Sequence, residues 1–264
     1  MIDWLYNYYP SPILIDFGLF RVYWYGLLMV LAIIVCLTLV IYLARIKNII
    51  DPHLGDLFFY LIIFGLIGAR LYHVVFYNPT YFFSQPLEIL KVWQGGLAIH
   101  GAIIGGILTV VYYAKKYQLN LLIYLDLLAV VLPLGQAIGR WGNYFNQELF
   151  GPPCDYQWCI PIKIDNRPNG FTDFSRFQPA FLYEFFLNLL LFLVLIVFFR
   201  SKKWSPGEAA IYYLIGYSII RFFLEFVRID TVQLYLGFKL VQWLCLLIIL
   251  SSTYYYWRHL NKKR

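Results

Sequence analysis

Long apolar runs separated by short polar punctuation dominate the chain. Seven stretches, at about residues 21–43, 55–77, 97–114, 120–140, 180–199, 207–226 and 239–257, approach the length of about 20 residues that a hydrocarbon core of about 30 Å requires of a helix. The pattern predicts an all-α fold, a polytopic membrane helical bundle of about seven transmembrane helices in a single integral-membrane domain over 1–264. Most connections are short, but segments 78–96 and 141–179 are long. The second, with GPPCDYQWCIPIKIDNRPNGFTDFSRFQP, is too polar to span and too long for a turn, and is expected to be an outward-facing loop region between the fourth and fifth helices.

Composition strengthens the membrane assignment. Hydrophobic residues make up 61% of the chain and charged ones 13%, with a mean hydropathy of +0.66, more apolar surface than a soluble domain of this length can bury. Charge then sets an orientation. Arg45, Lys47, Lys115, Lys116, Arg200, Lys202, Lys203, Arg258, Lys262, Lys263 and Arg264, eleven of the 21 basic residues, flank one side of the predicted spans. Basic residues of short loops stay on the cytoplasmic side, so the N-terminus is expected outside and the C-terminus in the cytoplasm. These charges form separate clusters without an aromatic platform, so the net charge of +7 does not point to a nucleic acid partner. The first twenty residues lack a basic start and contain Asp3, Pro10, Pro12 and Asp16, so no cleavable signal peptide is expected.

Three arginines interrupt or end the apolar runs: Arg70 in LIIFGLIGARLYHVVF, Arg140 in VVLPLGQAIGRWGNYFN and Arg221 in YYLIGYSIIRFFLEFVR. A guanidinium keeps its proton and is costly in hydrocarbon, so each must face protein, water or an anion. Tyr217, Arg221, Glu225 and Arg228 share one helical stripe, which reads either as a structural ion pair or as a cationic wall for a phosphate. Gly139 and Gly142 bracket Arg140, allowing the backbone to bend, and Asn143, Asn146 and Glu148 add hydrogen-bonding groups close by. His100 lies inside an apolar segment. The Gly101/Gly105 step beside it and the Gly135/Gly139 step beside Arg140 suggest that the two helices pack closely and that His100 and Arg140 share a pocket. His73 lies one turn from Arg70 and is placed to orient it; Tyr25 opens the first span, and Glu184 in the first turn of the fifth favours the helix dipole. Cys36 and Cys245 read as packing residues, whereas Cys154 and Cys159 in the long loop are either bridged or free. The loop offers no further ligands for zinc, and no metal or other cofactor is implied.

The run GRWGNYFNQE at 139–148 closely resembles the signature of the bacterial prolipoprotein diacylglyceryl transferase family. WQGGLAIHG at 93–101 resembles the family's second motif, with His100 in the His position, and RFFLEFVR at 221–228 its third. Tyr25 in WYG, Arg70 in GARLYH and Tyr183-Glu184 in LYE follow in order, so the resemblance covers nearly the whole chain. The chain departs from the family where Gln178-Pro179 replaces His-Pro and where Ala102 replaces a second Gly.

The resemblance implies a transferase of the bacterial cytoplasmic (inner) membrane, with its active site towards the outer leaflet. Its partners would be phosphatidylglycerol, the lipobox cysteine of a prolipoprotein signal peptide, and the surrounding membrane lipids. The diacylglyceryl group would move to the cysteine thiol, forming a thioether and releasing glycerol phosphate. His100, Arg140 and Arg221 are the expected catalytic residues, with Arg140, Asn143, Glu148, Tyr25, Glu225, Arg70 and Arg228 binding substrate. An anionic lipid or phosphate transporter is the alternative, but no inverted repeat is legible. A hydrolase would need a nucleophile, and Ser218 lacks a GxSxG context.

Overall fold

Each of the seven apolar stretches forms a helix close to its expected place. The computed structural model of the protein describes residues 6–18, 21–49, 53–201, 204–229 and 234–260; Asp3, Lys202, Lys203, Lys262, Lys263 and Arg264 lie outside them. The α-helices are α1 (Trp24–Ile46), α2 (Leu54–Phe76), α3 (Pro79–Ser84), α4 (Ile99–Lys116), α5 (Leu121–Asn146), α6 (Ala180–Arg200), α7 (Glu208–Val227) and α8 (Leu240–Tyr255). Six of them are long and apolar enough to cross a membrane, with α8 continuing to His259, and the chain is an all-α, polytopic membrane protein. The expected third span, α4, forms but falls short of the other six. It has 18 residues, three of them Gly, carries His100 near its start and ends in Lys115 and Lys116.

Contacts group the chain into two compact units, residues 1–43 with 126–264, and residues 44–125. The second unit is built on α2 and α4. A Cβ at Gly68 would strike the carbonyl of Gly101, one at Gly101 the carbonyl of Gly68, and one at Gly105 the carbonyl of Phe64, so the two backbones touch where only hydrogen fits. The Gly101/Gly105 step is thus taken up by α2. Gly135 and Gly139, in the other unit, face Cys36 and Met29 of α1. Within each unit, these are the neighbours that the two glycine steps meet.

In the first unit α5 runs six residues past its expected end, straight through Gly139 and Gly142. Helical hydrogen bonding in an apolar setting outweighs the roughly 1 kcal/mol that each glycine costs there. The segment after α5 is anchored by a pair of short antiparallel strands, β3 (Ile160–Pro161) and β4 (Arg176–Phe177). Its buried Phe150, Ile160, Ile162 and Phe177 pack with Tyr144 of α5 and Phe181 of α6. Cys154 and Cys159 are bridged. Two hairpins complete the unit, β1–β2 (Ile13–Asp16, Arg21–Tyr23) before α1 and β5–β6 (Leu234–Tyr235, Phe238–Lys239) before α8. At the opposite end of α5, Asp126 is fully buried and accepts from Gly207 N–H (2.6 Å), Ala210 N–H (2.7 Å) and the Trp204 indole (3.1 Å). It satisfies donors at the start of α7 that have no partner within the helix.

Candidate active site

The end of α5 explains why Arg140 points where it does. Gln147 adopts a left-handed backbone (φ 54°), its N–H bonds the Tyr144 carbonyl (3.0 Å), and the Glu148 N–H bonds the Asn143 carbonyl (3.0 Å). This is the double hydrogen bond of a Schellman turn, usually built on glycine. Gln147 is held in this strained conformation by its buried side chain, which donates to the Pro10 carbonyl (2.7 Å) and accepts from Lys163 N–H (2.7 Å). The turn folds Glu148 back over the helix, where its carboxylate accepts from Asn143 Nδ2 (2.7 Å) and Asn146 Nδ2 (3.3 Å). Asn143, its amide oriented in this way, accepts from Arg140 Nη1 through Oδ1 (2.9 Å).

From α6, Glu184 approaches the other side of the guanidinium, with Oε1 3.2 Å from Arg140 Nε. This buried carboxylate is an ion-pair partner of Arg140 and not merely a helix-dipole residue; position in a first turn gave no sign of the distant partner. Gly142 supplies a different contact. A methyl group there would come within 2.5 Å of the Tyr25 ring, so Tyr25 of α1 lies directly on the helix backbone. Trp24 stacks on Phe145 (4.4 Å, 8° between planes) and secures the same junction. The Tyr25 hydroxyl lies within the electrostatic reach of Glu148 and Arg140.

Along α7 the stripe read from the sequence holds for Tyr217, Arg221 and Glu225, whereas Arg228 lies past the end of the helix in an extended conformation. Arg221 Nη2 lies 2.7 Å from Glu225 Oε2, and Tyr217, one turn before Arg221, lies within the fields of Glu184, Arg140 and Arg221. The structure therefore sets each arginine beside its own carboxylate, Arg140 beside Glu184 and Arg221 beside Glu225. It also adds a cation that the sequence reading did not single out. Lys239, at the end of β6, has Nζ 3.3 Å from Glu225 Oε1 and donates to the carbonyls of Glu225 (3.2 Å) and Arg228 (3.1 Å). A lysine at the edge of an apolar span looks like a headgroup anchor, so spacing alone gave no signal for this burial.

In the second unit Arg70 is buried, and its donors go to four carbonyls: Ile89 (2.8 Å), Gly95 (2.8 Å), Gly96 (3.0 Å) and Glu88 (2.5 Å). It fastens the segment that leads into α4. Gly96, at φ 71°, packs against both the Arg70 guanidinium and the His73 imidazole, which places His73 beside Arg70 as expected. His100 is exposed at the start of α4, its ring stacked 5.5 Å from Tyr72.

The family model for prolipoprotein diacylglyceryl transferase matches residues 12–258. The phosphatidylglycerol–prolipoprotein diacylglyceryl transferase of Parasynechococcus marenigrum is 43% identical over 226 residues, covering 84% of this chain and 81% of the relative. Relatives of the same name from Synechococcus elongatus (42% over 230 residues, 85% and 79% covered) and Synechocystis sp. (40% over 230 residues, 85% and 81% covered) are similarly close. The motifs at 93–101, 139–148 and 221–228 all fall within the matched span, and the chain belongs to the prolipoprotein diacylglyceryl transferase family.

Proposed function

We propose that this membrane protein transfers the diacylglyceryl group of phosphatidylglycerol to the thiol of a prolipoprotein lipobox cysteine, the first step of lipoprotein maturation. Family membership and the names of the relatives support the transferase activity and both substrates. Within the chain, the observation that carries the reading is the pairing of Arg140 with Asn143 and Glu184 and of Arg221 with Glu225, each guanidinium oriented by its own carboxylate. Guanidinium donors match phosphate oxygens in pairs, and carboxylates that set the rotamers beforehand lower the cost of ordering on binding.

In this reading the cysteine sulfur attacks the glycerol carbon that bears the phosphodiester. A C–S bond forms, the C–O bond breaks, and its electron pair leaves on the phosphate oxygen, releasing glycerol phosphate. Arg140 and Arg221 stabilise that oxygen, a contribution of several kcal/mol for preorganised donors in a site of low dielectric. His100 takes the thiol proton, since the thiolate is the effective nucleophile. Asn143 and Glu148 orient Arg140, Glu225 orients Arg221, the Tyr25 hydroxyl bonds the headgroup, and Arg228 adds positive charge. Arg70 acts through the loop that it holds. The reaction belongs at the outer leaflet of the bacterial cytoplasmic membrane, with the C-terminus in the cytoplasm. Arg45, Lys115, Lys116 and Arg200 in the last turns of α1, α4 and α6 support that orientation.

The test is transfer of labelled diacylglyceryl from phosphatidylglycerol to a lipobox peptide by the purified protein, beside Arg140→Ala and a peptide with Ser in place of Cys. Thioether product from the unmodified protein and Cys peptide alone is the expected result. Absence of product from folded, lipid-supplied protein overturns the reading.

A further inference from the structure

We infer that the Cys154–Cys159 disulfide is a positioning element of the transfer site: it closes a clasp around β4 and, through α6, fixes Glu184 against Arg140. The inference rests on the function proposed above. β4 runs into α6 through Gln178 and Pro179 and is gripped on both sides. On one side Pro153 pairs with Phe177, the Gly151 N–H bonds the Gln178 carbonyl (2.9 Å), the Gln178 N–H the Pro152 carbonyl (3.0 Å) and the Cys154 N–H the Arg176 carbonyl (3.2 Å). On the other, Ile160 pairs with Phe177, and the Ile162 N–H bonds the Ser175 carbonyl (3.1 Å). The disulfide joins these two flanks.

The sequence leaves the flanks short of backbone hydrogen bonds. Pro152, Pro153 and Pro161 have no N–H to donate, so pairing alone holds the clasp weakly and the covalent bridge takes over. Asp155, Tyr156, Gln157 and Trp158 form the exposed excursion that the bridge closes. Within it the Cys159 N–H bonds the Tyr156 carbonyl (3.0 Å), Tyr156 and Trp158 stack (4.8 Å, 11° between planes), and the Trp158 indole bonds the Tyr183 hydroxyl. The clasp therefore holds α6 at two points, its lead-in strand and Tyr183 in its first turn. The next residue is Glu184, whose Oε1 lies 3.2 Å from Arg140 Nε. A displacement of about 1 Å in a reacting constellation costs up to about 10²-fold in rate, so a small release of the α6 start reaches the headgroup site through Arg140.

The experiment measures kcat and KM for phosphatidylglycerol and for the lipobox peptide with the full-length protein before and after dithiothreitol. The dithiol passes two electrons and two protons to the bridge, leaving two thiols on the protein and the cyclic disulfide of the reductant. A gain of two maleimide-reactive thiols verifies the opening, and Cys154→Ser with Cys159→Ser gives the open state without reductant. Opening the bridge is expected to lower kcat/KM for phosphatidylglycerol about tenfold while KM for the peptide moves less than about twofold. Re-forming the bridge with glutathione disulfide, removed before assay, restores the kinetics. A bridge that serves stability alone predicts a lower melting temperature with kcat/KM per folded protein unchanged. That result, or a parallel rise in KM for both substrates, overturns the inference. Should the double variant not accumulate as folded protein, the unmodified protein, folded before its bridge is opened, decides between the same outcomes. Failure of the proposed function is a separate result, seen as no thioether product from the unmodified, bridged protein.

Discussion

Arg140 shows how much can depend on a single side chain that serves several partners. Its guanidinium meets Asn143 on one side and Glu184 on the other, a division that a planar fork of donors can make and a lysine ammonium cannot. Arg140→Lys is therefore expected to lower kcat/KM by about 10²-fold despite keeping the charge, as measured in the diacylglyceryl transfer assay. Gln147 is the complementary case, a residue whose role is to hold the turn. Gln147→Gly relieves the left-handed backbone but removes two buried hydrogen bonds, and should lower stability by about 1–3 kcal/mol in thermal unfolding in detergent. His100 carries the proton-transfer proposal. Retention of more than about a tenth of turnover in His100→Gln would be too small an effect for general-base catalysis, which is usually worth 10²–10⁴-fold.

Among the elements, α5 does the most positioning. At one end its Schellman turn aligns Arg140, Asn143 and Glu148; at the other, Asp126 accepts three hydrogen bonds from the start of α7 and the Trp204 indole. Asp126→Ala leaves those donors without their acceptor and should destabilise the protein by about 2–4 kcal/mol, with Asp126→Asn milder because one carbonyl oxygen remains. Thermal unfolding of the two variants checks both the sign and the order. The apolar periodicity made α5 legible as a helix but not its length. Polar residues near the end of an apolar run look like an interfacial cap, and only the packing of Tyr144 with Phe150, Phe177 and Phe181 shows that the helix continues beneath the loop. Asp126 was similarly opaque, because a lone carboxylate in a run of Leu and Val names no partner.

At the scale of the molecule, the chain is a multi-pass membrane protein with, among the described residues, six long apolar helices and a seventh, more polar one. The membrane assignment and the order of the helices follow from hydropathy, a local property: each span satisfies its own backbone hydrogen bonds, so its existence does not wait on its neighbours. The family motifs were likewise legible as short runs, and they pointed to Arg140, Arg221 and Glu225 before any contact was known. Partnership between elements is different, because an ion pair such as Arg140–Glu184 joins residues far apart in the sequence and the chain carries no local mark of it. Arg70 and Arg140 look alike in sequence, each an arginine that interrupts or ends an apolar run. The structure spends the first on loop carbonyls and sets the second between Asn143 and Glu184. Helical spacing already set Glu225 one turn from Arg221, but tertiary packing alone decided that it also faces Lys239, because burial forces charges to find partners and the fold determines which are within reach.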